Sequence, residues 1–549
     1  MNEGIAWSAL GLGVLGWTLP RAWRRLQLSR AKHRSLAGHA RMAQRVARLI
    51  PGYAYDEDRF YAVDGAPDEV AARRRAAMRR LEALYDRRFA RGAALTAQAR
   101  EGLSDLQFTG HYRVPFQFSP VVRAHLRTSS FVARAWGVML EDVDGNVFHD
   151  LTGSYGVNVL GVDAYKACMA EGLAEAAAVG PILGSYLPCV ADNIARLKEL
   201  SGLDEVSFHM SGTEAVMQAV RLARYHTGRR HLVRFTGAYH GWWEDVQPGP
   251  GNPLPPRETY TLKEMDERTL KVLRQRRDIA CVLVNPLQAL HPNRPAPGDS
   301  SLVDSSRSAG ADRAAYAAWL KRLREVCSAR GIVLIIDEIF VGFRIAKGGA
   351  QEYFGVQADM VTYGKTLGGG LPVGVVCGKR ALMKRFRDER PADICFARGT
   401  FNAHPQVMAA MNAFLRRLDA PEVVALYAGL DARWNARAAR FNAALRDAGV
   451  PVQVAHLSSI WTVLFTQPSR YNWMLQFYLR AHGLALSWVG SGRIVFSLNY
   501  GEADMDAVTA KFVAAAREMQ ADGWWWHDPQ ASDRTIRRSI LLEMLRRKL

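Results

Sequence analysis

Five short, predominantly apolar runs constrain this chain most: residues 205–210, 231–235, 280–284, 331–336 and 373–377. Turn residues flank each run and helical spacing fills the intervals. Strands of that length and texture belong in a sheet buried on both faces by helices, so they run mostly parallel. The expected fold class is therefore α/β. At 549 residues the chain exceeds a single core of ordinary size, and a second, smaller α+β domain is expected beside the sheet.

The texture along the chain sets provisional boundaries. Residues 1–20 read as a membrane anchor, uncharged from Gly4 onward, and residues 21–108 as a basic extension whose apolar residues recur at helical three- and four-residue steps. Strand texture starts at Phe131, with a hairpin over 137–148 whose turn is Asp144, Gly145 and Asn146. Residues 109–190 read as the first part of the small domain, leading into a large domain over 191–410. The small domain resumes over 411–520, and 521–549 is a basic amphipathic tail. Residues 290–310, rich in Pro, Ser, Asn and Asp, read as a surface loop.

The formal charge of +19 raises nucleic acid as a partner, but its distribution argues otherwise. Nine cations lie between Arg21 and Leu49 with no Asp or Glu among them. No zinc-finger or RNA-binding signature accompanies them, so no nucleic-acid partner is expected. The six cysteines are scattered and none pairs at C-x-x-C spacing, which suggests neither metal site nor disulfide framework and suits a reducing, cytoplasmic setting.

Just ahead of the basic stretch, residues 4–20 are uncharged and carry Trp7 and Trp17. The segment is short against the roughly 17–25 residues of a spanning helix. A secretory signal is disfavoured because no positive charge precedes it. A buried helix is the plain alternative. The favoured reading is a membrane anchor, spanning or interfacial, because the adjoining arginines are drawn to anionic lipid. The body would then sit on the cytoplasmic side of the inner or plasma membrane, the alternative being a soluble cytoplasmic protein. The tail, with Trp524, Trp525 and Trp526 followed by arginines, reads equally as a second interfacial contact or as a helix capping the body.

Four places carry chemistry. Ser211, Gly212 and Thr213 stand where a strand passes into a helix, offering free N–H groups, a favourable dipole and two hydroxyls to a phosphate, or simply an N-cap. Asp337 and Glu338 end an apolar strand at the sheet edge where α/β proteins bind ligands. Lys365 is followed by Gly368, Gly369 and Gly370, an amine able to form an imine in a loop whose backbone can approach a ligand. Tyr239 and His240 follow another apolar strand and offer an aromatic face. A phosphate cradle, an aromatic platform, a buried carboxylate and a lysine together match what pyridoxal phosphate needs.

The order of these motifs resembles the class III, fold type I, pyridoxal-phosphate-dependent aminotransferases, closest in pattern to the glutamate-1-semialdehyde aminomutases. The likeness spans about residues 130–510 and is strongest in SGTEA (211–215), YHG (239–241), DEIFVGFR (337–344), GGAQE (348–352) and GKTLGGGLPVG (364–374). The resemblance implies an α/β large domain that binds the cofactor, a Schiff base at Lys365, and Lys365 as the proton shuttle. It implies Asp337 beside the pyridinium nitrogen, Ser211, Gly212 and Thr213 at the phosphate, Tyr239 with His240 on one ring face and Ile339 on the other. Gln288 would meet the ring hydroxyl. Thr400 would reach the phosphate of a neighbouring subunit, which implies a homodimer.

Two departures separate the chain from that pattern. Asn285 stands where many relatives have a glutamate that pairs with a substrate-sensing arginine, and the stretch from Leu160 to Tyr165 replaces a Leu-Gly-His-x-His-Pro segment. Both argue against glutamate-1-semialdehyde itself as substrate. The expected activity is amino-group transfer, as an aminotransferase or aminomutase, on a lipid-like or carrier-bound amine or carbonyl. Decarboxylation or racemisation on the same imine is the enzymatic alternative, and a catalytically silent membrane scaffold the non-enzymatic one.

Overall fold

The computed structural model describes residues 18–546, apart from 248, 250, 255, 295–304, 306–308 and 488–491. A seven-stranded sheet organises it. Its strands, numbered along the chain, are β1 (Glu205–His209), β2 (His231–Phe235), β3 (Thr259–Leu262), β4 (Ile279–Val284), β5 (Val333–Asp337), β6 (Met360–Gly364) and β7 (Gly374–Gly378). They lie in the order β1-β7-β6-β5-β4-β2-β3. Every residue of β4 to β7 is buried, as expected for a sheet covered on both faces.

The five apolar runs all became strands, and two further strands joined them. β3 is a half-buried edge strand whose threonines hide it from a search for apolar runs. β6 lies inside the segment that ends in Lys365. The last strand, β7, runs antiparallel to both β6 and β1. The loop over 365–373 is shorter than the dozen or so residues a parallel crossover needs, so the chain turns straight back. The sheet is thus mostly parallel, the arrangement of fold type I.

Helices Gly212–Thr227 and Arg313–Arg330 lie against this sheet, and the almost wholly buried helix Pro405–Arg417 packs on Val162–Ala176. A Cβ on Gly172 would meet the Ala410 nitrogen at 2.7 Å, so these two helices cross closely only because glycine stands there.

A smaller part contains two further sheets. Strands Val132–Trp136, Met139–Asp142 and Val147–Asp150 run antiparallel, joined by Leu484–Ala485 in parallel, and Gly145 takes φ 82° in the expected turn. Strands Val452–Leu457, Ile460–Phe465 and Arg493–Val495 form the other, with Trp461 stacked edge-on to Phe496 at 4.9 Å.

The N-terminal extension is helical and docks on this smaller part. Helix Asp68–Arg88 buries Val70, Ala77, Met78, Leu81 and Tyr85 at three- and four-residue steps, and among them Arg74. The Arg74 guanidinium is fully buried. It donates to both oxygens of Asp64 (2.8 and 2.7 Å), to the Tyr61 carbonyl (2.8 Å) and to the Gly523 carbonyl (2.8 Å), and lies 4.4 Å from the Tyr471 ring centre. The tail therefore packs on the body here. Trp524 and Trp525 are buried and donate to the Tyr478 hydroxyl (2.8 Å) and the Asn472 side-chain oxygen (3.0 Å), so these two tryptophans cap the body and offer nothing to a membrane.

Among the described residues no helix is long and apolar enough to cross a membrane. Residues 4–17 of the expected anchor lie outside them.

Arg74→Ala leaves Asp64 and two carbonyls without their donor, and breaking a buried pair in this way costs about 3 kcal/mol. Thermal melting is expected to show Arg74→Ala lowered by several degrees, and Arg75→Ala, whose partner Asp58 is on the surface, close to wild type. Equal shifts would remove the clasp from the docking of the extension.

Candidate active site

Asp337 ends β5 opposite Thr362 of β6, and Lys365 follows three residues further along. The two groups thus emerge from adjacent parallel strands at the same edge of the sheet. The Asp337 carboxylate is buried and held on both oxygens. Oδ1 accepts from the Ile339 N–H (3.1 Å) and the Thr362 hydroxyl (3.3 Å), and Oδ2 meets His240 Nδ1 at 2.7 Å. His240 Nε2 is buried with no protein partner among the described residues.

Lys365 adopts φ 44°, a left-handed conformation that L-residues avoid by roughly 1–2 kcal/mol. Burial pushes its ammonium down to about 8; Asp337 opposes that shift, while Arg493 and Arg344 add to it. The amine lies 4.7 Å from the Phe340 ring centre, and the Arg493 guanidinium lies 5.2 Å from the same ring. Beyond the lysine, Gly369 takes φ 59°, and a Cβ there would meet the Ala410 carbonyl at 2.3 Å. The glycines that follow Lys365 therefore let the loop fold down on helix Pro405–Arg417.

A helix start faces this pair. Ser211 caps helix Gly212–Thr227 by accepting from the Glu214 N–H (3.3 Å), which engages its hydroxyl locally. The N–H groups of Gly212 and Thr213 precede the first intrahelical bond, made by Ala215 to the Ser211 carbonyl (3.0 Å), and point out of the helix with its positive dipole end. A Cβ on Gly212 would meet Ile339 at 2.8 Å, and one on Gly241 would meet the Thr213 hydroxyl at 2.5 Å. Gly212, Thr213, Gly241, Ile339, His240, Asp337 and Lys365 therefore form one cluster.

Tyr239 borders it, half-exposed, its carbonyl accepting from Asn285 Nδ2 (2.8 Å). Gln288 sits buried on the turn Pro286–Leu290 with its Oε1 lacking a protein partner among the described residues. Thr400 is exposed at the surface, and among the described residues no contact of its own ties it to Lys365.

Of the two carboxylates at the end of β5, one belongs to the site. Glu338 turns away and accepts from the Ala350 (2.6 Å) and Gln351 (3.1 Å) N–H groups at a helix start, where burial pushes its carboxyl up to about 8. Sequence reasoning missed Phe340, Arg493 and Arg344. Arg344 is fully buried and donates to the carbonyls of Gly156 (3.2 Å), Asn158 (2.8 Å) and Phe496 (2.6 Å), which joins the two parts of the molecule beneath the site. Its place in the DEIFVGFR motif was a signal; Arg493 had none, because only folding brings residue 493 beside residue 365.

The residues present fit pyridoxal phosphate. A helix N-terminus offers N–H groups suited to a phosphate, a buried amine is largely deprotonated above pH 8, and a fixed carboxylate stands beside an imidazole nitrogen with no protein partner among the described residues.

Comparison with known proteins agrees. The aminotransferase class-III family matches residues 121–515. The glutamate-1-semialdehyde 2,1-aminomutase of Nitratidesulfovibrio vulgaris (strain DP4) is 36% identical over 361 residues, covering 64% of this chain and 82% of that protein. That of Citrifermentans bemidjiense is 32% identical over 385 residues, covering 66% and 83%. Among solved structures, a β-phenylalanine aminotransferase from Variovorax paradoxus superposes with a TM-score of 0.60 at 26% identity, over 80% of this chain and 97% of that one. A transaminase with pyridoxal phosphate bound gives 0.60 at 28%, over 72% and 92%. The chain belongs to the class-III aminotransferases, enzymes that depend on pyridoxal phosphate.

Proposed function

We propose that this enzyme moves an amino group between a small amine and a carbonyl compound, at least one of them anionic, with Lys365 as the group that holds the cofactor and moves the proton. The observation that carries this reading is the buried Lys365 amine set opposite Asp337 at the ends of adjacent strands. Pyridoxal phosphate, when bound, supplies an aldehyde for amines and a ring that accepts electrons. The chain's own residues do the rest. The Gly212 and Thr213 N–H groups bind the phosphate, Asp337 presents a fixed negative charge oriented by His240 and Thr362, and Ile339 fills the space beside Gly212. Lys365 Nζ, held near Phe340 with its basicity lowered by burial, takes and returns a proton near neutral pH.

The long-chain or carrier-bound substrate expected from the N-terminal segment finds no support at the site. Arg493 beside Phe340 instead favours a substrate carboxylate or similar anion. Asn285 spends its amide on the Tyr239 carbonyl and its oxygen on the Leu287 N–H, so no acidic partner stands there.

The surface around Thr400 supports reading the active unit as a homodimer. Tyr186, Phe396 and Phe401 are exposed near it, and the Arg398 guanidinium lies 3.2 Å from a Cβ built on Gly184, so the two segments form one apolar face that a second copy would cover. Thr400 lies on that face, and in such a dimer it would serve the neighbour's site.

Lys365→Ala should remove the visible absorbance of lysine-linked cofactor and abolish amino transfer, and Asp337→Asn should lower kcat at least about 100-fold. Half-reaction absorbance changes with a panel of amine donors read both; full transfer activity in Lys365→Ala would sink the proposal. Capture of added pyridoxal phosphate by the apoenzyme should quicken about tenfold per pH unit up to about pH 8 and level off above it, as the amine loses its proton. A flat stopped-flow profile between pH 6 and pH 9, values bracketing that titration, would contradict it. Arg493→Gln should raise KM for carboxylated donors about tenfold while leaving plain amines unaffected. Finally, Phe396→Arg with Phe401→Arg should sediment as a monomer with weakened cofactor retention; a wild-type monomer that retains cofactor would rule the shared site out.

A further inference from the structure

The two ends of the chain, hundreds of residues apart in sequence, meet on one side of the molecule. Tyr53 and Tyr55, which follow the basic arm, donate to Glu543 of the C-terminal helix Asp533–Arg546 at 3.2 and 2.5 Å, and Glu543 also receives Arg470 at 2.8 Å. On its outer side that helix exposes Leu541, Leu542 and Leu545.

The arm itself is tethered by its inner side. The Ala31 carbonyl accepts from the Lys263 N–H (2.9 Å), and the Gln44 amide donates to the Asn252 carbonyl (2.5 Å). Its outer side is left to solvent. Residues 18–31 are helical, and Leu19, Trp23 and Leu26, spaced four and three apart, make one exposed stripe along them. Met42, Leu49 and Ile50 continue the exposed apolar surface toward Tyr53. Interleaved with it, the eight arginines from Arg21 to Arg48 are all exposed, and residues 18–50 contain no Asp or Glu.

We propose that residues 18–50 and the outer side of helix Asp533–Arg546 form a single face that docks on an anionic lipid bilayer. Leucine, tryptophan and methionine side chains enter the headgroup boundary from helices lying flat, and the arginines engage lipid phosphates and carboxylates around them. Charge selects this occupant. A second copy would bring the same eight arginines against themselves, and a nucleic acid would have no use for a leucine and tryptophan stripe. The face needs no part of residues 1–17, and it stands independently of the reaction proposed for the active site.

The test is flotation of the full-length holoenzyme with phosphatidylcholine vesicles, with and without phosphatidylserine. Wild type should float at least about tenfold more with the anionic vesicles, and less as salt rises. Trp23→Ser with Leu26→Ser, Leu541→Ser with Leu545→Ser, and Arg24→Glu with Arg45→Glu should each reduce flotation about tenfold. Their melting temperatures and solution activity should stay at wild-type values, since none touches the Lys365 site. Equal flotation on neutral vesicles, or flotation untouched by all three variants, would overturn the proposal and leave membrane contact to residues 1–17 alone. So would variants that dissociate an oligomer without changing flotation, because a second copy then covers the face.

Discussion

Everything around the site depends on keeping an amine and a carboxylate dry at the ends of two neighbouring strands. Removing either charge from water is costly unless a partner meets it. Asp337 meets this demand with three donors, and Lys365 by lowering its own basicity. The sheet supplies the geometry, because β5 and β6 are parallel and end together. The short return into β7 supplies the rest, forcing the lysine into a left-handed conformation and the glycines onto helix Pro405–Arg417. Strain at Lys365 is thus a product of the topology that places it there.

The buried arginines do structural work of a different kind. Arg344 and Arg74 each gather carbonyls from segments far apart in sequence. Each is a junction: Arg344 joins the sheet domain to the smaller part under the site, and Arg74 joins the extension to the start of the tail. A lysine could satisfy neither set, since a planar fork of donors is needed to reach carbonyls lying in different directions.

Much of this was legible in the sequence. The five apolar runs, the helix-start motif at Ser211 and the Lys365 loop carried local signals, and each lay where those signals pointed. What stayed hidden lacked a local signature. β3 alternates polar residues on an edge, and β7 takes its direction from loop length rather than composition. Arg493 gains its meaning only from a fold that brings strand Arg493–Val495 beside Lys365. Glu338 shows the opposite limit, since two adjacent carboxylates look alike in sequence although alternation along a strand sends them to opposite sides. The tail was undecided between membrane and body, and the tryptophan N–H partners settle that for Trp524 and Trp525, while Leu541 and Leu545 remain outward.

The extension's grip also has a mechanical meaning. Arg74 and Phe60 hold Tyr471 and Gly523, and the strand carrying Arg493 follows Tyr471 by little more than one helix and a short strand. Any rocking of that part toward the sheet must carry the extension with it, arm and terminal helix included. Force applied to the extension or to helix Asp533–Arg546 would therefore be carried through these contacts into the segment that holds the guanidinium beside Lys365.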